Sequence, residues 1–157
     1  MSSPSVFRAT AAQAEAVGRL LFDFNTEFDS PTPTADELSA RFRQLLQRDD
    51  VIVLLSGDAA EPTGLAFLTL RPTPYYDGPL AQLEELYVQP ERRDQGIGTA
   101  LLTAAVALVR QQHGGELHIN VDEVDTDARR FYERHGFVNI EPGADYRMLC
   151  YIGQTEG

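Results

Sequence analysis

Apolar residues recur along this chain with two different periods, and the alternation between them outlines the elements. "SVFRAT" reads as a short strand. Thr10 then opens a helix, with Gln13 three residues on, as a capping box requires. Val17, Leu20, Leu21, Phe24 and Phe28 keep the helical period behind it. "SPTP" at residues 30–33 breaks the chain, and Thr34 with Glu37 repeats the capping signal. Leu38, Phe42, Leu45 and Leu46 form the stripe of a second helix. "VIVLLS" (Val51–Ser56) and "GLAFLTLR" (Gly64–Arg71) are strand patterns joined by a turn-like segment. "AQLEELYV" (Ala81–Val88) is the next strand, after the loop "PTPYYDGP".

A long helix is expected from about Gly96 to His113, with Ile97, Leu101, Ala105, Leu108, Val109 and Gln112 along one face. Gly114 and Gly115 end it. "ELHINV" follows as a strand. Asp125, Thr126 and Asp127 cap the helix "ARRFYERH", which Gly136 closes. "FVNI" and "YRMLCYI" read as a final pair of strands. Seven strand patterns and four helices in this order predict one α/β domain, residues 1–157, on a mixed sheet.

Composition changes the picture in one respect. The formal net charge is -11, which argues against nucleic acid and against an anionic membrane surface as partners. It permits a cationic partner, although an acidic surface also serves solubility alone. The single Cys150 excludes an internal disulfide framework, and its run "MLCYI" suggests a buried small hydrophobe. No basic start followed by an apolar core marks the N-terminus as a signal peptide, and no apolar run is long enough to span a membrane. A cytoplasmic location is expected.

The chemistry concentrates in "QPERRDQGIGTALL", Gln89 to Leu102. A helix N-terminus presents unpaired N–H groups and partial positive charge, and glycines there let an anion approach the backbone. A plain tight turn would use the same glycines. A Rossmann fingerprint would need glycine at Leu101, and a Walker A loop would need Gly-Lys-Ser/Thr; neither is present. The three histidines, His113, His118 and His135, have no metal-binding spacing, so no metal is expected.

"LEELYVQPERRDQGIGTALL" followed by "DARRFYERHGF" resembles the GCN5-related N-acetyltransferase (GNAT) superfamily. Arg93, Gly96 and Gly98 match its Arg/Gln-x-x-Gly-x-Gly/Ala signature. Ala128, Phe131, Tyr132, Gly136 and Phe137 match its second signature, an Asn-x-x-Ala-x-x-Phe-Tyr helix ending in Gly-Phe. The resemblance implies a mixed, mostly antiparallel sheet of six to seven strands flanked by about four helices. It also implies acetyl-CoA as cosubstrate. Its contacts carry over to Leu86, Tyr87 and Val88, to Arg93, Asp94, Gln95, Gly96, Ile97, Gly98 and Thr99, and to Asp125 and Tyr132. The turn would hold the pyrophosphate. The backbone of Leu86 and Val88 would pair with the pantetheine arm, and Leu86 N–H would face the thioester carbonyl. Two departures stand out: Asp94 where many members have glycine, and Asp125 where they have asparagine. Asp125 can still cap the helix but cannot donate a side-chain hydrogen bond when ionised.

The same resemblance makes Tyr132 the general acid, against its alternative as a core aromatic. "LEELYV" is similar to a segment of diamine acetyltransferases whose glutamate handles the amine proton, which points to Glu84 as the base. A solvated strand position would explain Glu84 equally well. Glu85 is expected on the opposite face unless a bulge intervenes, and Asp122 is the reserve. "PYYDG" and "TEFDSPTPT" are candidate acceptor loops. The implied reaction is direct transfer of an acetyl group to a primary amine of a small molecule, a polyamine or amino compound. A protein N-terminus or lysine is the alternative acceptor, and a non-catalytic acyl-CoA-binding module is the rival class. Monomer and homodimer both remain open.

Overall fold

In a computed structural model of the chain, residues 4–156 are described. They form two units by internal contacts, one ending at Ile119 and one running from Asn120. The first unit carries a five-stranded sheet in the order β1-β2-β3-β4-β5. Its strands are β1 (Val6–Arg8), β2 (Val51–Gly57), β3 (Pro62–Arg71), β4 (Leu80–Val88) and β5 (Leu117–Ile119). Neighbours up to β4 are antiparallel, and β5 runs parallel to β4.

Two helices form between β1 and β2, where the capping signals place them. Thr10 and Gln13 make the full capping box, opening a 3-10 turn that runs into α1 (Ala14–Glu27). Thr34 Oγ1 accepts from the Glu37 N–H at 3.1 Å and starts α2 (Ala35–Leu45). Gly18 lets the two helices approach closely, since a Cβ there would lie 2.4 Å from Ser39 Oγ. Val17, Leu20, Leu21, Leu38 and Phe42 bury against Val53, Leu55, Leu65 and Tyr87 of the sheet. Helix α3 (Ile97–Gln111) buries Leu101, Leu102, Ala105 and Val109.

The second unit contains α4 (Thr126–Arg134), capped by Asp125, whose Oδ1 accepts from the Ala128 N–H at 3.1 Å. Four helices and a mixed, mostly antiparallel sheet agree with expectation, but the sheet has five strands, not six to seven. "FVNI" and "YRMLCYI" are not strands in the described residues. One backbone bond joins their neighbourhoods, Met148 N–H to Asn139 O at 2.7 Å, too little to make a ladder. Tyr146, Leu149, Tyr151 and Ile152 are exposed. Cys150 is exposed as well, not buried as its apolar neighbours suggested. β-propensity describes residues that suit a pleated surface; it does not supply the partner strand that makes one.

Candidate active site

Strand β4 is the spine of the site. Across β3, Leu83 pairs with Leu68 and Glu85 with Phe67, which leaves Glu84 as the extra residue of a β-bulge. The bulge is the condition under which the two glutamates escape simple alternation. Glu84 is exposed and its Oε2 accepts from Thr69 Oγ1 at 2.6 Å. Glu85 is partly buried. Burial pushes its carboxyl above the usual range, and the charge of Glu84 adds to the effect.

Beyond the bulge, β4 has an open edge. Strand β5 reaches only Ala81 to Leu83, so Glu84–Val88 has no strand on that side among the described residues. The backbone phase follows from one bond. Gln89 N–H donates to Thr63 O of the β3 side at 2.9 Å. Antiparallel alternation then directs the backbone groups of Tyr87 and Glu85 to β3, and those of Leu86 and Val88 to the open edge. Leu86 and Val88 are the two positions expected to present their backbone to an extended ligand. Tyr87 points its ring inward, 4% exposed and stacked on Phe24 at 4.7 Å.

The turn after β4 explains its own sequence. A 3-10 turn at Pro90–Arg92 leads to Arg93 in extended conformation. Asp94 (φ 62°) and Gly96 (φ 81°) are both left-handed. Aspartate is among the few residues besides glycine that tolerate this region, so the chain can place Asp94 where relatives of the resembled family use glycine. Gly96 is the N-cap of α3 and no side chain caps the helix. The first intrahelical bond is Ala100 N–H to Gly96 O at 3.0 Å. The amides of Ile97 and Gly98 therefore precede the helical ladder and face outward from its positive end. A Cβ on Gly96 would meet nothing within 4 Å, so the space over the turn is open.

Arg93 folds back on the protein. Its Nε donates to Val88 O at 3.0 Å, and its Nη1 and Nη2 meet Glu27 Oε2 and Oε1 at 2.8 and 2.9 Å. The guanidinium lies 5.9 Å from the Phe28 ring centroid and 5.7 Å from that of Tyr87. Tyr87 also donates its hydroxyl to Glu27 Oε1 at 2.9 Å. The Arg93 hydrogen bonds hold the Glu27 carboxyl below its usual range. Burial, then the bond to Glu27, pushes the Tyr87 phenol up. Glu27 had no motif to mark it, because its partners lie 60 and 66 residues away.

The second unit holds the remaining expected residues. Tyr132 lies on α4, partly buried, with its ring at 5.4 Å from Phe131 and 6.3 Å from Phe137. Phe137 N–H returns to Tyr132 O at 3.0 Å, and Gly136 (φ 91°) makes that reversal. Asp122 O accepts from Asp125 N–H at 3.0 Å, so its backbone belongs to the approach to α4. No group of three or more metal-ligating side chains occurs among the described residues. No described helix is long and apolar enough to cross a membrane.

The family model described as "Acetyltransferase (GNAT) family" matches residues 15–137. An aminoglycoside N(6')-acetyltransferase type 1 from Stenotrophomonas maltophilia is 30% identical over 151 residues, covering 94% of each chain. A solved chain from Arthrobacter sp. FB24, provisionally called an acetyltransferase, is 52% identical. It covers 98% of this chain and 96% of that one, with a TM-score of 0.89. An aminoglycoside acetyltransferase from an uncultured soil metagenomic sample, solved with sisomicin, shares the fold. Its TM-score is 0.79 at 20% identity, over 98% of this chain and 97% of that one.

Proposed function

The chain belongs to the acetyltransferase (GNAT) family and is an acyltransferase, and from that premise we propose that it moves an acetyl group from acetyl-CoA to a primary amine of a small cationic molecule. One cytoplasmic domain over residues 1–157 would carry out the transfer directly, in a ternary complex. The observation that carries the proposal is the open edge of β4 running into an uncapped α3 N-terminus. An extended thioester arm can add to the edge through Leu86 and Val88. A pyrophosphate can follow it onto the Ile97 and Gly98 amides, where each charge-assisted bond is worth about 1.5–3 kcal/mol. Acetyl-CoA supplies both the arm and the acetyl thioester. The Val88 carbonyl already accepts from Arg93, so Val88 offers its N–H to the arm, and Leu86 offers both backbone groups.

The acceptor reading draws on charge. A net charge of -11 attracts cationic amines, and a relative of 30% identity acts on an aminoglycoside by its name. Amino compounds of that polycationic kind, polyamines included, are the proposed class. A lysine-like primary amine has a pKa near 10.4, so its deprotonation at pH 7 costs about 4.6 kcal/mol at 1.36 kcal/mol per unit. Acidic surroundings raise that pKa further, which makes a base necessary. Glu84 is exposed beside the open edge and fixed by Thr69, which suits it to take the proton directly or through water. Tyr132 is the proposed proton donor to the leaving thiolate. A coenzyme A release assay across an amine panel tests the reading. Release with no amine of the panel would favour a non-catalytic acyl-CoA-binding module.

Glu84→Gln keeps shape but cannot accept a proton at neutral pH. Activity on a high-pKa amine is expected to fall sharply at pH 7 and to recover partly at alkaline pH, where the amine deprotonates unaided. A second reading rests on Glu85, next to Glu84 on β4 and partly buried, whose carboxyl burial pushes above the usual range. If the loss follows Glu85→Gln and spares Glu84→Gln, the base is Glu85.

Asp94→Gly is expected to relieve the left-handed strain and raise unliganded stability by up to about 1 kcal/mol, or about 2–4 °C in Tm for a chain of this size. It also removes a carboxylate next to the proposed pyrophosphate, so acetyl-CoA should bind more tightly. Calorimetry of both proteins checks the two effects separately.

A further inference from the structure

Arg93 belongs to the signature of the cofactor turn, yet its side chain is committed inward. Its bonds to Glu27 and Val88 use the Nε, Nη1 and Nη2 atoms at 2.8 to 3.0 Å. A two-point guanidinium–carboxylate pair is directional and planar, which fixes the guanidinium's orientation as well as its position. The rings of Phe28 and Tyr87 flank the same group. Glu27 in turn receives the Tyr87 hydroxyl, and Tyr87 is held by the Phe24 stack. The chain of contacts runs from the last residue of α1, through Arg93, to the residue immediately before the two left-handed positions of the turn.

We propose that Glu27 is a positioning residue for the cofactor turn: by gripping Arg93, it sets where the Asp94–Gly96 turn presents the first amides of α3 to a pyrophosphate. The proposal rests on the reading that this turn holds the pyrophosphate of acetyl-CoA. Arg93 is then a brace and not an anion ligand. With Nε on a carbonyl and both terminal nitrogens on a carboxylate, its charge is neutralised before a phosphate arrives. The turn has use for a brace because two of its residues, Asp94 and Gly96, sit in the left-handed region, so its course depends on how Arg93 enters it. Glu27 lies in the stretch offered by sequence as an acceptor loop, but its contacts direct it to the cofactor side.

The two roles for Arg93 predict opposite signs for one substitution. If Arg93 were an anion ligand restrained by Glu27, removing that carboxylate would free it, and acetyl-CoA would bind equally well or more tightly. If Glu27 positions the turn, Glu27→Ala weakens acetyl-CoA binding by about 10-fold, since misplacing reacting or binding groups by about 1 Å costs at least this much. Glu27→Gln, which keeps an acceptor for the Tyr87 hydroxyl and loses the ion pair, falls between. Titration calorimetry with acetyl-CoA on the full chain gives the affinities, and Glu27→Gln carries the test should the alanine variant not fold. Amide exchange in the unliganded protein separates positioning from general loosening. Exchange at residues 93–98 should accelerate while β2 and β3 keep their protection. Unchanged or tighter binding, or acceleration spread evenly over the sheet, overturns the proposal. A parent protein that fails to bind acetyl-CoA would instead overturn the reading of the turn itself.

Discussion

Gly96→Val is expected to abolish the stabilisation of this protein by acetyl-CoA. At a ligand concentration of 100 times Kd, linkage stabilises the parent by about 2.7 kcal/mol, which corresponds to a Tm gain of roughly 5–10 °C. Gly96 sits at φ 81° with open space over its Cα. Two effects combine in the valine variant. A β-branched residue is strained in the left-handed region, so the turn shifts. Its side chain also projects into the open space an anion would occupy. Gly96→Ala separates them, because it carries the backbone penalty, about 1–2 kcal/mol, with a smaller obstruction. Thermal melts with and without acetyl-CoA make the measurement. A valine variant that gains as much as the parent would mean that the pyrophosphate lies elsewhere.

Tyr132→Phe is expected to lower kcat by about 10- to 100-fold, at and below the low end for general acid catalysis, with acetyl-CoA affinity nearly unchanged. The effect is modest because a thiolate of pKa near 8.5 leaves without much help, and a tyrosine near 10 is about 2 kcal/mol uphill as its donor. The ring contacts with Phe131 and Phe137 survive the loss of one oxygen, so α4 should keep its packing. A thioester of a more acidic thiol needs the proton less and should suffer less from the mutation. The comparison takes kcat of both proteins with both donors, using the amine of the panel that turns over best. If kcat holds and cofactor binding is lost, Tyr132 is a coenzyme A contact and not the acid.

Sequence periodicity and capping residues sufficed for the helices. Thr10, Thr34 and Asp125 cap where their spacing indicated, because a cap is satisfied within a few residues and needs no distant partner. The glycine turn was legible for the same reason: a helix N-terminus and its local dihedrals are written in adjacent residues. The C-terminal segment departs from its pattern: "FVNI" and "YRMLCYI" have strand-like composition without a partner strand in the described structure, and Cys150 is exposed despite its apolar neighbours. Pairing is a property of two segments, and one segment's pattern is silent about it.

What the sequence determined by itself is local: the order of the elements from β1 to α4, the helix caps, and a glycine turn at the mouth of α3. Tertiary structure alone decided the rest. The bulge that singles out Glu84 exists only in the register between β3 and β4. The open edge of β4 exists because β5 stops at Leu83's partner, Ile119. Glu27 reaches Arg93 across 66 positions of chain. Each of these depends on groups brought together by folding, where burial and hydrogen bonding reward contacts that sequence spacing cannot encode.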